Sequence, residues 1–268
     1  MQTELMDLSR EFAVAVSMAV RAGAIVRRHH ERGVTPEHKA DGELVTAADR
    51  EADATIRAVI EVLFPRDAVY SEEGANDPAR LSRARVWIVD PIDSTSDFLA
   101  GGDEHTVSIG LAIGGAPVLG VVYNPARRVM FAGAAGVGVR FNDAAVAPTD
   151  ISDPELASVA VSKKELARGV TFGGFGRLRP LSSMAYKLAR VAAGMDDAVV
   201  SFKHRREYGT CAGVALVLAA GGRATLLDGS PIVFNRREPK QPLGMIAAGA
   251  NLHEALIRRF AAVAGAEQ

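Results

Sequence analysis

The stretch Trp87-Ile88-Val89-Asp90-Pro91-Ile92-Asp93-Ser94-Thr95 changes from apolar to acidic within a few residues. Val86 to Val89 reads as a short buried strand, stopped by Asp90-Pro91. Pro91 stiffens the chain just beyond the strand, so Asp93 turns back toward the space that Asp90 faces. Carboxylates held this close repel one another unless a cation lies between them. Hard oxygen donors suit Mg²⁺, with Mn²⁺ as the alternative, and the Ile92 carbonyl between them is a third candidate ligand. After Asp93, the amides of Ser94 and Thr95 open a helix, where N–H groups suit a phosphate. Taken alone, the same residues equally describe a strand-ending turn with a helix cap.

Further carboxylates stand at the ends of apolar elements in Val45-Thr46-Ala47-Ala48-Asp49, in Ser71-Glu72-Glu73-Gly74 and around Asp228. Singly, Glu72-Glu73 is a solvated pair and Asp49 a helix decoration; it is their combination with Asp90 and Asp93 that points to a cation site. Helical spacing of apolar residues predicts a helix over 4–30 and another from about Thr46 to Leu63, ended by Pro65. Thr106–Ile113 and Pro117–Tyr123 flank Gly114-Gly115, a two-residue hairpin signal. Residues 135–180 carry weaker patterns. Beyond the cluster of Asn142-Asp143, Pro148 and Asp153-Pro154, helices near 182–193, 211–220 and 251–263 alternate with strands near 197–202 and 223–227. Two subdomains are expected, 1–145 with the metal and phosphate site and 146–268 completing the pocket.

Across 268 residues, 31 basic and 32 acidic side chains leave a net charge of −1. That balance argues against binding to a nucleic-acid polymer, which needs a surplus of cations. Cys211 is the single cysteine, so no intramolecular disulfide and no thiolate zinc cluster can form, which fits a cytoplasmic protein. No apolar run is long enough to span a membrane. His29-His30 point in different directions on a helix and read as surface or interhelix residues. Cys211 reads as a packed side chain.

Residues Asp41-Gly42 through Val45-Thr46-Ala47-Ala48-Asp49, Glu72-Glu73, Trp87 through Thr95, and Ala212-Gly213 through Gly222 together resemble the inositol monophosphatase superfamily. The flanks His105–Gly110, Pro117–Pro125 and Ser182-Ser183…Lys187-Leu188 are most similar to its 3′(2′),5′-bisphosphate nucleotidase-like branch. The resemblance implies a layered αβαβα sandwich, a homodimer and a Mg²⁺-dependent phosphatase. Its substrate would be a small phosphomonoester: a nucleotide like 3′-phosphoadenosine 5′-phosphate, an inositol phosphate or a sugar phosphate. By the same likeness Glu72, Asp90 and the Ile92 carbonyl hold one ion, and Asp90 and Asp93 bridge to a second. Asp49 and Thr95 position and deprotonate the attacking water, and Ser94 and Thr95 amides hold the phosphate.

Two positions depart from the family. Ser94 stands where glycine is usual, which is acceptable if the backbone there is not left-handed. Gly209 stands where an aspartate ligates the second metal, leaving that site degenerate. The consequence is an adapted site for a specialised substrate, or reduced or lost hydrolysis. Glu207 is a candidate replacement, although a surface carboxylate paired with Arg205 or Arg206 is the commoner arrangement. In Lys203-His204-Arg205-Arg206, Lys203 and Arg205 are candidate contacts for a second phosphate, the alternative being a solvated charge cluster.

Overall fold

A computed structural model describes residues 7–39 and 42–266. In chain order its elements are helix α1 (Ser9–Arg32), strands β1 (Glu37–His38) and β2 (Leu44–Val45), α2 (Ala47–Leu63), β3 (Ala68–Ser71), β4 (Arg85–Asp93), α3 (Thr95–Leu99), β5 (Thr106–Ile113), β6 (Ala116–Asn124), β7 (Val129–Ala134), β8 (Gly138–Phe141) and β9 (Ala144–Val146). The second half adds β10 (Ser158–Ser162), α4 (Lys163–Ala167), β11 (Arg177–Leu181), α5 (Met184–Ala192), β12 (Ala198–Ser201), α6 (Cys211–Ala219), β13 (Arg223–Leu226), β14 (Met245–Ala248) and α7 (Ala250–Ala266). Strands β3 to β9 form a seven-stranded sheet in sequence order, and a five-stranded sheet runs β11-β10-β12-β14-β13.

Strand β4 explains the layering. Its side chains alternate faces: Trp87 and Val89 enter a core with Ala15, Ala19, Ala52 and Ile56 of α1 and α2. Val86 and Ile88 enter a different core with Leu188 of α5 and Val214 and Leu216 of α6. A sheet covered on both faces needs continuous apolar strands, hence the unbroken run. The second sheet repeats the logic: Ala160, Val199 and Ala247 face α5 and α6, while Val159, Val161, Val200 and Ile246 pack with Leu252 and Leu256 of α7. The order is therefore helices, sheet, helices, sheet, helix, the αβαβα sandwich that the family resemblance implies.

Several elements differ from their sequence-based outlines. Helix α1 begins at Ser9, residues 4–6 of the predicted span lying outside the described residues. The predicted loop between α1 and α2 contains a β1–β2 pair. Strand β4 does not stop at Asp90: pairing with β5 resumes at Asp93 after a bulge that sets Pro91 and Ile92 against Val107. The Gly114-Gly115 turn closes β5 onto β6 as expected, both glycines at positive φ. Among the described residues, no helix is long and apolar enough to cross a membrane.

Candidate active site

The β4 bulge gathers the acidic residues. Pro91 has no N–H to give to the ladder, so pairing is lost there and regained at Asp93. The backbone N–H of Glu72 donates to Val89 carbonyl (3.1 Å), which sets the residue after β3 beside the end of β4. The carboxyls of Glu72 and Asp90 lie close enough to act on each other. Burial pushes Glu72 up to about 7 and raises Asp90 well above the usual carboxylate range, the latter pushed further by the charges of Glu72 and Asp93. Asp93 is raised as well, again by burial. Its Oδ2 accepts from Ser183 Oγ (2.6 Å) and from the Ala185 N–H (2.7 Å) at the start of α5. The ammonium of Lys39 bridges Glu72 (3.2 Å) and Glu73 (2.7 Å), so that acidic pair is covered and ion-paired, not simply solvated.

Asp49 and Thr95 come together from opposite sides of the first core. Thr46 caps α2: its N–H and hydroxyl donate to Asp49 Oδ2 (2.8 and 2.6 Å), and its Oγ1 accepts the Asp49 N–H in return. The other carboxylate oxygen, Oδ1, lies 3.3 Å from Thr95 Oγ1, which is also 3.2 Å from the Ile92 carbonyl. A hydroxyl has one proton, so Thr95 gives it to one of these and keeps lone pairs for a further donor. Burial raises the Asp49 carboxyl above its ordinary value. Ser94, which precedes Thr95, holds φ 79° and ψ 56°. This is left-handed backbone, so the condition under which serine would be acceptable at this turn is not met.

Glu72, Asp90, Ile92, Asp93, Ser94 and Thr95 line a cleft of about 570 Å³ that also exposes Lys163, Lys164, Arg168, Arg205 and Arg206, whereas Asp49 is buried and is not among the lining residues. Arg205 is held with its Nη2 donating to Glu165 (2.5 Å) and its Nε to Ser201 Oγ (2.8 Å), Glu165 itself being fully buried. It is a fixed, half-buried part of the cleft wall, not a solvated loop charge. Lys203 is not among the lining residues; it is half-buried close to Arg168 and Lys164, and burial followed by Arg168's charge lowers its pKa. Glu207 is neither a ligand nor a surface pair: it is fully buried and accepts the backbone N–H groups of Asn235 (2.8 Å) and Arg236 (2.9 Å). Asp228 is a turn residue that accepts from Ser230 and stands outside the cleft. Sequence reasoning missed Lys39, Ser183 and the α4 cations. The apolar run Val159-Ala160-Val161 ending in Ser162-Lys163-Lys164 was the signal for the last of these.

Among the described residues, no group of three or more His, Cys, Asp or Glu side chains converges as a ready-made metal cluster. The donor set nonetheless fits a hard divalent cation. Among the described residues, Asp90 Oδ1 is buried without a hydrogen-bond partner, the carboxylates of Glu72, Asp93 and Asp49 act on Asp90, and Ile92 lines the same cleft. An unpartnered anionic oxygen in such company is the orphan that a cation satisfies. At Gly209, an added Cβ would lie 3.7 Å from Asp90 Oδ2 and 4.0 Å from Asp93 Oδ1, with nothing nearer. A side chain at this position would thus project toward both aspartates, and the chain has none there.

The sequence model of the inositol monophosphatase family matches residues 7–264. Inositol monophosphatase 2 of Solanum lycopersicum is 30% identical over 258 residues, covering 91% of this chain and 95% of the relative. The 3′(2′),5′-bisphosphate nucleotidase CysQ of Escherichia coli (strain K12) is 32% identical over 208 residues, 75% of this chain and 83% of the relative. The solved structure of a Thermotoga maritima IMPase superposes with a TM-score of 0.80 at 26% identity, covering 97% of this chain and 99% of that one. With the family's sequence model matched over residues 7–264 and its fold and length shared with these relatives, the chain belongs to the inositol monophosphatase family.

Proposed function

We propose that this chain is a divalent-cation-dependent phosphatase of a small phosphomonoester that carries a second anionic group, as 3′-phosphoadenosine 5′-phosphate does. The observation that carries the cation dependence is the buried, unpartnered Asp90 oxygen beside Glu72 and Asp93. Glu72, Asp90 and the Ile92 carbonyl would hold one Mg²⁺ or Mn²⁺, and Asp90 with Asp93 would reach a second. Such ions lower the pKa of nearby water and neutralise charge building on the phosphoryl oxygens. The chain's own groups do the positioning. Thr95 Oγ1 orients the attacking water and passes its proton toward Asp49, whose other oxygen is fixed by Thr46. The amides of Ser94 and Thr95 hold the phosphoryl group, with residues 1–145 supplying this machinery and 146–268 closing the pocket.

The basic half of the cleft supports the second anionic group. Lys163 is already paired with Glu104 (2.8 Å), but Arg205 presents its guanidinium from a fixed mount and Lys164 and Arg168 line the same space. An arginine so anchored meets a phosphate with little loss of side-chain freedom. The likeness to a bisphosphate nucleotidase favours the same substrate class.

The test is phosphate release from inositol 1-phosphate, a sugar phosphate and 3′-phosphoadenosine 5′-phosphate, each with Mg²⁺ and with Mn²⁺. Release from the bisphosphate is expected to exceed the others and to stop on chelation. Asp90→Asn is expected to reduce it by at least about a hundredfold while the circular dichroism stays native. Undiminished release in that variant rejects the site. Gly209 favours a second reading, a phosphatase fold with weakened turnover; cation and ester binding without release across the whole panel would select it.

A further inference from the structure

Helix α4 buries one acid among cations. Lys163, Lys164 and Arg168 are exposed on it or just beyond it and line the cleft, whereas Glu165 is fully buried. Both Glu165 oxygens are engaged at the end of β12 and in the segment that follows. Oε1 accepts the Phe202 N–H (3.1 Å), and Oε2 accepts from Ser201 Oγ (3.3 Å) and from Arg205 Nη2 (2.5 Å). Arg205 Nε donates in turn to Ser201 Oγ (2.8 Å). Strands β10 and β12 pair in parallel, so α4 and the segment with Arg205 leave the sheet at the same end. Glu165 ties the two together there, while the remaining donors of the guanidinium are left for a ligand.

We propose that Glu165 is a positioning residue that holds Arg205 and the α4 cations as one anion subsite, and so sets a preference for esters with a second phosphate. This rests on the phosphatase reading above and names the group in the chain that selects the substrate. The anchor has to be an ion. Arg205 is largely buried, and a neutral amide in place of the carboxylate would leave its charge without a counter-charge. A second carboxylate is also at hand, because the charges of Asp93 and Arg205 act on each other. Released from Glu165, the guanidinium would turn toward Asp93 and be withdrawn from the ligand. Glu165 offsets the charge of Arg205, so attraction at a distance comes from Lys164 and Arg168, and Arg205 contributes donors at fixed positions.

The test compares KM and kcat for 3′-phosphoadenosine 5′-phosphate and for adenosine 3′-phosphate, which lacks the second phosphate, in the wild type and in Glu165→Gln with Mg²⁺ present. The wild type is expected to show a KM at least about tenfold lower for the bisphosphate. Glu165→Gln is expected to lose that difference, with kcat for both esters staying within about twofold of the wild type. A merely structural role would shift both KM values or both kcat values together and leave the KM ratio in place. If the single variant lacks native circular dichroism, Glu165→Gln combined with Arg205→Gln removes both ions and buries no unpaired charge. The double variant is likewise expected to lose the difference. A KM ratio that survives in a folded variant, or equal KM values in the wild type, overturns the proposal while leaving a working phosphatase. No release from either ester by the wild type removes the phosphatase reading and this inference with it.

Discussion

Ser94 pays a local cost for its place at the turn between β4 and α3. With φ 79° its Cβ sits in the left-handed region, a conformation that costs a non-glycine residue roughly 1–2 kcal/mol. Its carbonyl nonetheless accepts from the N–H groups of Asp97 (2.9 Å) and Phe98 (3.2 Å), which start α3 and fix the turn. Ser94→Gly is expected to stabilise the fold by about 1 kcal/mol, since glycine tolerates that torsion and its added unfolded-state entropy offsets only part of the gain. A urea-unfolding midpoint unchanged or lowered in the variant would show that the serine side chain contributes more than its strain removes. At this scale the acidic half of the site was legible because Asp49, Glu72, Asp90 and Asp93 each follow or cap an apolar element. The torsion of Ser94 was not legible. It depends on the β4 bulge at Pro91 and also on Asp93 being drawn to α5, and the second of these is not a property of the nine-residue motif.

Helix α6 shows what an element-scale reading can and cannot reach. Its residues are apolar on all sides, as suits a helix lying between two sheets, and the sequence outline of 211–220 nearly coincides with Cys211–Ala219. What sets its depth is glycine on the partners. A Cβ at Gly120 of β6 would stand 2.1 Å from the Ala212 carbonyl, and one at Gly110 of β5 would stand 2.7 Å from Cys211 Sγ. These contacts are with backbone or with a fully buried side chain, so relief requires the helix to move. Gly120→Ala is therefore expected to cost about 1–3 kcal/mol, read as a lowered denaturant midpoint. Because Tyr208 and Gly209 lead directly into α6, the same variant should also weaken ester binding; native stability with the extra methyl present would mean that α6 is less tightly seated than its contacts indicate. Strands β11 and β14 escaped the sequence pattern for local reasons. Strand β11 is a parallel edge strand containing Arg177, Arg179 and Pro180, and β14 is four residues of Met, Ile and Ala with no alternation to read. Of the cleft's cations, Lys163 and Lys164 had a local signal in the apolar run that they end, while nothing local in Arg168 distinguishes a pocket wall from an ordinary helix surface.

Across the whole molecule, the two sheets are tied by polar contacts around the cleft. Asp93 binds the start of α5, Asp97 accepts from Ser182 Oγ (3.0 Å), and Glu104 accepts the Ser182 N–H (2.9 Å). Behind Asp97 lies His105, buried edge-on against Phe98 and His30 (ring centroids 5.2 and 5.7 Å). Among the described residues its Nδ1 has no hydrogen-bond partner, and Asp97 Oδ2 is 4.0 Å away. Burial, and then the neighbouring His30, lowers the His105 pKa from an ordinary 6.5 to about 4. Above pH 6.5 both folded and unfolded chains keep this imidazole neutral, so it imposes no pH dependence. As pH falls from 6.5 toward 4 the unfolded chain takes up a proton that the folded chain refuses, and stability is lost. At one pKa unit per 1.36 kcal/mol, the loss from this group approaches about 2–3 kcal/mol by pH 4.5. Buried carboxyls with raised pKa, among them Asp49 and Glu72, act in the opposite direction over acidic pH, so total stability alone does not isolate the histidine. His105→Phe does, because the carboxyls are common to both proteins. Urea unfolding at pH 7 and pH 4.5 should show the wild type losing more stability than the variant by about that amount. Equal losses in the two proteins would mean that His105 takes its proton inside the fold as readily as outside it.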